Sequence, residues 1–142
     1  MSWVEVRAAE CFVVLYCVVV WSACYADFLL ADRLLHYPPC PTSEFKQNER
    51  RVRAGAHTDY GSITLLFQDM AGGLQVLSPK GTFVNATPIE DTIVVNAADL
   101  LTRWSNDTIK STKHRVVEPP KPAEKDMHPS RYSIAYFCNP NL

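Results

Sequence analysis

The sequence predicts an all-β fold of the double-stranded β-helix, or jelly-roll, class. Short runs rich in β-branched and aromatic residues are separated by Pro- and Gly-rich turns, which is typical of a β-sandwich or barrel. The run SITLLFQ (62–68) alternates apolar Ile63, Leu65 and Phe67 with a mixed set, as a strand with one buried face does. Residues 118–129 are predicted to be a loop, because each proline there removes a donor from a strand ladder. This loop lies just before the last run. The sequence pattern indicates few strands, so the predicted jelly roll is incomplete.

A short, atypical apolar segment comes before this core. Residues 11–26, CFVVLYCVVVWSACYA, are almost uncharged but fall short of the roughly 20 apolar residues that span a bilayer. The residues ahead of them lack the net positive charge of a signal peptide. We therefore expect a buried strand or helix in a cytoplasmic protein, with a secretory signal or anchor and a start not native to the domain as alternatives. We therefore divide the chain into this apolar N-terminal segment, residues 1–33, and one domain, residues 34–142.

The remaining elements follow in order along the chain. A Gly72–Gly73 pair predicts a hairpin turn, and Asp99–Trp104 predicts one helical turn with Trp104 in the core. Asn96 and Asp99 are expected to bond to backbone groups around a corner. The later predicted strands are LQVL (74–77), TFVNA (82–86), TIVVNA (92–97), IKSTKHRVV (109–117) and RYSIAYFC (131–138).

Composition excludes several classes of function. The 14 basic and 15 acidic residues nearly balance, so no broad positive surface for nucleic acid is predicted. The five cysteines are odd in number and have no CxxC spacing, which argues against a disulfide framework or a zinc knuckle. A globular protein with reduced thiols is expected. Membrane association is not, and nothing indicates an oligomeric state.

Three residues could ligate one metal ion. His57 and Asp59, in AGAHTDYG (54–61), have the spacing that places two side chains on one side of an extended segment. Alone, this pattern also fits a plain turn, and His114 in STKHRV alone fits a surface strand. Together, two imidazoles and one carboxylate match the facial triad of non-haem Fe(II) oxygenases. Zinc with a hydrolytic water remains a rival for the same ligands.

A second pair of residues fits a carboxylate ligand. Arg131 and Ser133 share one face of a predicted strand, and a guanidinium beside a hydroxyl suits a carboxylate in a partly buried pocket. An ordinary salt bridge at a sheet edge is the alternative for this short pattern.

Ordered segments from about Leu34 to Pro140 extend the pattern. They are HYPPCP, AGAHTDYGSITLLFQD, GGLQVLSPKGTF, VVNAADLLTRWSND, STKHRV and RYSIAYFCNP. In this order and spacing the chain resembles the iron- and 2-oxoglutarate-dependent dioxygenases of the isopenicillin N synthase-like family. Ala98 departs from that pattern where the family usually has glycine, and Phe83 where tryptophan is common.

The resemblance implies both a ligand set and a reaction. It implies Fe(II) on His57, Asp59 and His114, and it makes residues 34–142 a dioxygenase domain. It also implies the distal carboxylate of 2-oxoglutarate on Arg131 and Ser133, with Tyr37 as a helper at that co-substrate. Dioxygen is the other co-substrate and ascorbate a possible reductant.

The implied activity couples 2-oxoglutarate decarboxylation to hydroxylation or desaturation of a small organic molecule. Two alternatives stay open. One is a catalytically inactive, truncated remnant, and the other is an oxidase of the same fold that does not use 2-oxoglutarate.

Overall fold

The fold is built from short antiparallel strands, in a computed structural model that describes residues 3–7, 31–46, 52–120 and 126–140. The strands are β1 (Trp3–Arg7), β2 (Ala31–Tyr37), β3 (Cys40–Pro41), β4 (Ala54–His57), β5 (Ile63–Gln68), β6 (Leu74–Leu77), β7 (Phe83–Asn85), β8 (Thr92–Ala97), β9 (His114–Val116), β10 (Met127–His128) and β11 (Arg131–Cys138). Within these ranges the chain also forms two short helices, α1 (Ser43–Lys46) and α2 (Asp99–Trp104). The predicted helical turn at 99–104 is confirmed.

Two main sheets carry the structure. One has five strands in the order β1-β8-β5-β11-β2, and the other has four in the order β4-β9-β6-β7. A small third sheet pairs β10 with β3, and all pairings are antiparallel. One cavity is lined by residues of both main sheets, so the sheets face each other across it. The predicted all-β jelly roll is confirmed.

The five-stranded sheet has two chemically different faces. On β5, Leu65 is almost fully buried and packs with Ile93 of β8, and Ile63 and Phe67 join the same cluster. The apolar face predicted for this strand is therefore confirmed. The alternate position, Thr64, lines the cavity between the sheets instead, as the two-residue period of a strand requires. The sheet thus turns a mixed set of polar and apolar residues toward the cavity and an apolar layer outward.

The Gly72–Gly73 pair corrects one expectation. Both glycines have positive φ, 81° and 90°, where a side chain would be strained. They join β5 of one main sheet to β6 of the other, so the turn is not a hairpin. A Cβ at Gly73 would also lie 2.8 Å from the Val117 carbonyl oxygen. The glycines let the chain cross from one sheet to the other where it passes close to the Val117 backbone.

Two further expectations about the segment after β8 are wrong. Trp104 is 58% exposed, because α2 buries none of its residues and lies on the surface. The strand expected over residues 109–117 is much shorter in the structure, where β9 covers only His114–Val116. The backbone N–H groups of Ile109 and Ser111 donate to the hydroxyls of Ser105 and Thr102 rather than to a strand ladder.

Three further expectations concern segments that the structure describes only in part. The predicted loop 118–129 ends in β10, whose His128 faces Cys40 of β3, and residues 121–125 lie outside the description. Cys40 and Cys138 are free thiols, and burial raises the pKa of Cys138 to about 11. Among the described helices none is long and apolar enough to cross a membrane, and the segment 11–26 is not among them.

A substitution of Leu65 tests the packing of the outer apolar layer. We expect Leu65→Ala to lower the free energy of unfolding by about 2–5 kcal/mol, because it removes a buried side chain and leaves a cavity. Leu34→Ala is the matched control: Leu34 is 77% exposed on the adjoining part of the sheet and should change stability by less than about 0.5 kcal/mol. Equilibrium denaturation of both variants makes the comparison. Equal effects would show that the layer does not pack as described.

Candidate functional site

Three sequence-predicted residues meet at one end of the cavity. His57 ends β4, His114 begins β9, and the two are direct partners across these strands. Their ring centroids are 4.4 Å apart. Asp59 follows β4, and one ligand-type atom from each of the three residues lies within 4.8 Å of the others. Asp59 and His114 are buried, whereas His57 is exposed, so the cluster faces solvent on one side.

A β-bulge in β4 produces the pairing of the two histidines. Ala54 faces Val116 and His57 faces His114, so three steps along β4 match two steps along β9. In a regular ladder Ala56 would face His114. Bulges commonly redirect a side chain next to a functional site. Here the bulge brings the imidazole of His57 to the cluster.

Backbone carbonyls orient both imidazoles. The Nδ1 atom of His57 lies 2.7 Å from the carbonyl oxygen of Gly55, and Nδ1 of His114 lies 3.1 Å from that of Thr112. A carbonyl oxygen only accepts, so each Nδ1 carries the proton and donates it. Nε2 then carries the lone pair on each ring, and Nε2 of His114 lies 3.6 Å from Oδ1 of Asp59. This is the tautomer that a metal-binding histidine needs when the metal is on Nε2.

Two side chains of the five-stranded sheet hold the Asp59 carboxylate. Oδ2 accepts hydrogen bonds from Thr64 Oγ1 at 2.8 Å and from Asn96 Nδ2 at 2.6 Å. Oδ1 is left on the side of His114. The expectation that Asn96 bonds to backbone is wrong, because its amide reaches a buried carboxylate that needs donors.

The backbone around Asp59 is fixed as well. Its carbonyl oxygen accepts from the N–H of Asp99 at the start of α2, at 2.9 Å. The Thr58 hydroxyl donates to the Asp99 carboxylate at 3.0 Å. A Cβ at Gly61 would meet the side chain of Asn139 and lie 3.1 Å from the Cys138 carbonyl oxygen, so the turn after Asp59 packs closely against the end of β11. The carboxylate is therefore positioned from both its side chain and its main chain.

Burial keeps His114 in its ligand form. Desolvation lowers the pKa of His114 from its ordinary value, and this outweighs the opposite effect of the neighbouring Asp59 carboxylate. The imidazole is thus neutral at neutral pH, which is the state that binds a metal. Two imidazoles and one carboxylate oxygen fit a divalent first-row metal, since three protein ligands on one side leave other coordination positions open. The donor set in this chain therefore suits Fe(II).

Arg131 and Ser133 form a second polar group in the same cavity. Arg131 is 1% exposed, and its Nη1 donates to Ser133 Oγ at 3.0 Å. The guanidinium carbon lies 5.4 Å from the ring centroid of Tyr37, which is paired with Arg131 across β2 and β11. Burial lowers the pKa of Arg131 from its very high ordinary value, and arginine stays protonated at neutral pH. The structure thus places a buried cation and a hydroxyl beside a tyrosine.

One cavity contains both polar groups. The three clustered residues, the Arg131–Ser133 pair and Tyr37 all line it. Thr64 and Asn96 line it too, and neither was predicted as a site residue. The alternation of β5 could have indicated that Thr64 faces inward, whereas Asn96 stands out only as a polar residue inside the apolar run TIVVNA.

A jelly roll that holds two histidines and an aspartate beside a buried arginine has the arrangement of a non-haem Fe(II) oxygenase. The family model for the 2OG-Fe(II) oxygenase superfamily matches residues 9–140. The chain belongs to this superfamily.

Known relatives agree with that membership. The chain is 41% identical over 114 residues to the 2-oxoglutarate-dependent dioxygenase frbA of Dothideomycetidae sp., covering 77% of this chain and 33% of the relative. It is 44% identical over 110 residues to the 2-oxoglutarate-Fe(II) type oxidoreductase hxnY of Emericella nidulans, covering 77% and 29%. The chain thus spans about a third of the length of the curated relatives it matches.

Among solved structures, a full-length protein of Neurospora crassa is similar at 71% identity. In its complex with alpha-KG and 5-formyluracil the TM-score is 0.76, with 79% of this chain and 35% of that chain covered. A complex of the same protein with alpha-KG and thymine gives a TM-score of 0.75 at the same identity, covering 79% and 33%.

The hydrogen bonds to Asp59 predict the effect of Thr64→Val. The change keeps the side-chain shape but removes one of the two donors to Oδ2, so the carboxylate loses orientation. We expect Fe(II) affinity to fall about tenfold, as is typical when an outer partner of a metal ligand is removed. Anaerobic titration with Fe(II) measures it.

Thr92→Val is the matched control. The Thr92 hydroxyl donates to the Ile89 carbonyl oxygen, away from the cavity. This variant should bind Fe(II) as the wild type does. Unchanged affinity in Thr64→Val would contradict the role given to Thr64.

Proposed function

We propose that this chain forms the core of an Fe(II)- and 2-oxoglutarate-dependent dioxygenase that oxidises the 5-methyl group of a pyrimidine base. The observation that carries the reaction class is the single cavity with the His57, Asp59 and His114 cluster at one point and the buried cation of Arg131 at another. A dicarboxylic co-substrate needs both features, since one end must reach the metal and the other needs a charge partner.

Each residue has a distinct part in this proposal. His57 Nε2, Asp59 Oδ1 and His114 Nε2 would hold the iron, and Arg131 with Ser133 would hold the distal carboxylate of 2-oxoglutarate. Tyr37 would line the co-substrate site beside Arg131. When bound, the iron supplies the redox chemistry that couples oxidative decarboxylation of 2-oxoglutarate by dioxygen to oxidation of the substrate. The protein orients the reactants and limits the access of water.

The substrate class comes from the relative. The Neurospora crassa protein has been solved with thymine and with 5-formyluracil, two bases that share a ring and differ in the oxidation level of the 5-substituent. At 71% identity, a similar substrate is the best-supported proposal for this chain. The same cavity is also lined by Arg33 and Phe137, and the Arg33 guanidinium carbon lies 5.9 Å from the Phe137 ring centroid. A cation and an aromatic ring suit the carbonyl oxygens and the flat face of a pyrimidine.

Turnover with thymine tests the proposal. Protein supplied with Fe(II), ascorbate, 2-oxoglutarate and thymine should release succinate together with 5-hydroxymethyluracil, because the 5-methyl group is the oxidised position. Uracil is the matched control, since it lacks that methyl group and should give no hydroxymethyl product. His114→Ala should reduce product to the protein-free level, because a ligand is lost. Iron-loaded wild type that releases no succinate would contradict the proposal.

The response of Arg131 separates this reaction from an oxidase that does not use 2-oxoglutarate. Arg131→Leu should abolish 2-oxoglutarate binding while Fe(II) binding persists, because the buried charge partner is removed. Calorimetric titration measures both ligands. Product formation from thymine without any 2-oxoglutarate would favour the oxidase instead.

A further inference from the structure

The guanidinium of Arg131 is held from three directions. Nε donates to the carbonyl oxygen of Gly72 at 3.0 Å, and Nη1 donates to Ser133 Oγ at 3.0 Å. Nη2 donates to Gln68 Oε1 at 3.2 Å. The guanidinium has five N–H groups in one plane, so three fixed contacts leave one hydrogen on each Nη atom for a ligand. One N–H group from each Nη atom is what a carboxylate needs for two parallel hydrogen bonds to the end of a guanidinium.

Gln68 occupies a defined place beside this group. It is the last residue of β5, and it faces Ser133 across β5 and β11. Its amide orientation is set by Arg131, because a guanidinium only donates and the amide oxygen must therefore point toward it. Gln68 thus fixes Nη2 of the guanidinium, while Gly72 fixes Nε and Ser133 fixes Nη1.

The other half of the Gln68 amide has no partner in the described part of the chain. Its Nε2 atom is buried there without an acceptor. An apolar side chain at this position would leave no buried donor without an acceptor. The hydrogen bond that the Gln68 side chain makes is the one to Arg131. A purely structural reason for an amide here is therefore weak.

The Asp69 carboxylate attracts Arg131 electrostatically but makes no ion pair with it within the described ranges. The neighbouring carboxylate of Asp69 accepts from the backbone N–H groups of Ala71 at 3.0 Å and Tyr132 at 2.6 Å instead. No ion pair to Arg131 is present among the described residues, although its side chain is almost fully buried. Gln68 orients the cation without neutralising it, so the charge stays available to a ligand carboxylate.

We propose that Gln68 is a positioning residue that sets the affinity of the site for the distal carboxylate of 2-oxoglutarate. It does so by holding Nη2, so that the open N–H groups of Arg131 face the same way. This inference rests on the proposed function, because it takes 2-oxoglutarate as the ligand of Arg131. It concerns binding of one end of the co-substrate and leaves the metal site unaffected.

Two substitutions separate this role from a structural one. Gln68→Met removes the acceptor at similar length, and we expect the Kd for 2-oxoglutarate on the Fe(II) protein to rise about tenfold, the scale of one hydrogen bond to a charged group. Gln68→Glu keeps the shape and the contact but adds a charge that pairs with Arg131. This variant should bind 2-oxoglutarate more weakly than Gln68→Met, because the added carboxylate competes with the co-substrate for Arg131.

The control variant is Gln75→Met. Gln75 also accepts from an arginine, Nε of Arg115 at 2.8 Å, but on the four-stranded sheet and outside the cavity. It should bind 2-oxoglutarate like the wild type. Pyruvate is the control ligand, since it has the same 2-oxo acid group and no distal carboxylate. Affinities for pyruvate and Fe(II) should stay unchanged in all three variants.

Anaerobic calorimetry with each ligand gives the result. Loss of 2-oxoglutarate affinity in both Gln68 variants, with pyruvate and Fe(II) unaffected, supports the proposal. Wild-type affinity in Gln68→Met or in Gln68→Glu overturns it, and so does a parallel loss of pyruvate or Fe(II). Failure of the wild type to bind 2-oxoglutarate would overturn the proposed function itself, which the Gln68 variants alone cannot do.

Discussion

The buried carboxylate of Asp59 connects the two main sheets of this fold. Asp59 follows β4 of the four-stranded sheet, yet its Oδ2 is held by Thr64 and Asn96 of the five-stranded sheet. Its backbone carbonyl also receives the first N–H of α2. A buried charge is costly unless donors satisfy it, so the positions of both sheets are constrained around this one group. The same constraint leaves Oδ1 beside His114, which is what a metal site requires.

Several polar side chains of the five-stranded sheet face the same cavity. Strand alternation sends Leu65 to the outer apolar layer and Thr64 to the cavity, and it gives β11 a buried Arg131 and Ser133 on its inner side. These polar groups are tolerated because each makes hydrogen bonds inside the cavity. The donor that Thr64 offers to Asp59 and the buried Arg131–Ser133 pair thus follow from one alternation pattern in the adjacent strands β5 and β11.

The sequence alone was sufficient for the strand-rich fold and for the residues that cluster, but not for how they are held. The spacing of His57 and Asp59 indicates two of the residues, His114 completes a facial-triad donor set, and the resemblance supports all three. The bulge that turns His57 toward His114 was not predictable, because a bulge depends on the register between β4 and β9. Asn96 was assigned to backbone because a sequence shows that a residue is polar but not which distant group it reaches. Trp104 was placed in the core by residue type, whereas the surface position of α2 decides its exposure.

In the proposed enzyme, His57, Asp59 and His114 bind one iron while Arg131 binds the far end of the co-substrate. A crystal structure of the protein grown anaerobically with Fe(II) and 2-oxoglutarate, with anomalous data at the iron edge, tests it directly. We predict one anomalous peak bounded by the two Nε2 atoms and Oδ1 of Asp59, and a distal carboxylate on Arg131 and Ser133. A peak away from these three residues, or a co-substrate carboxylate that does not reach Arg131, would contradict the account.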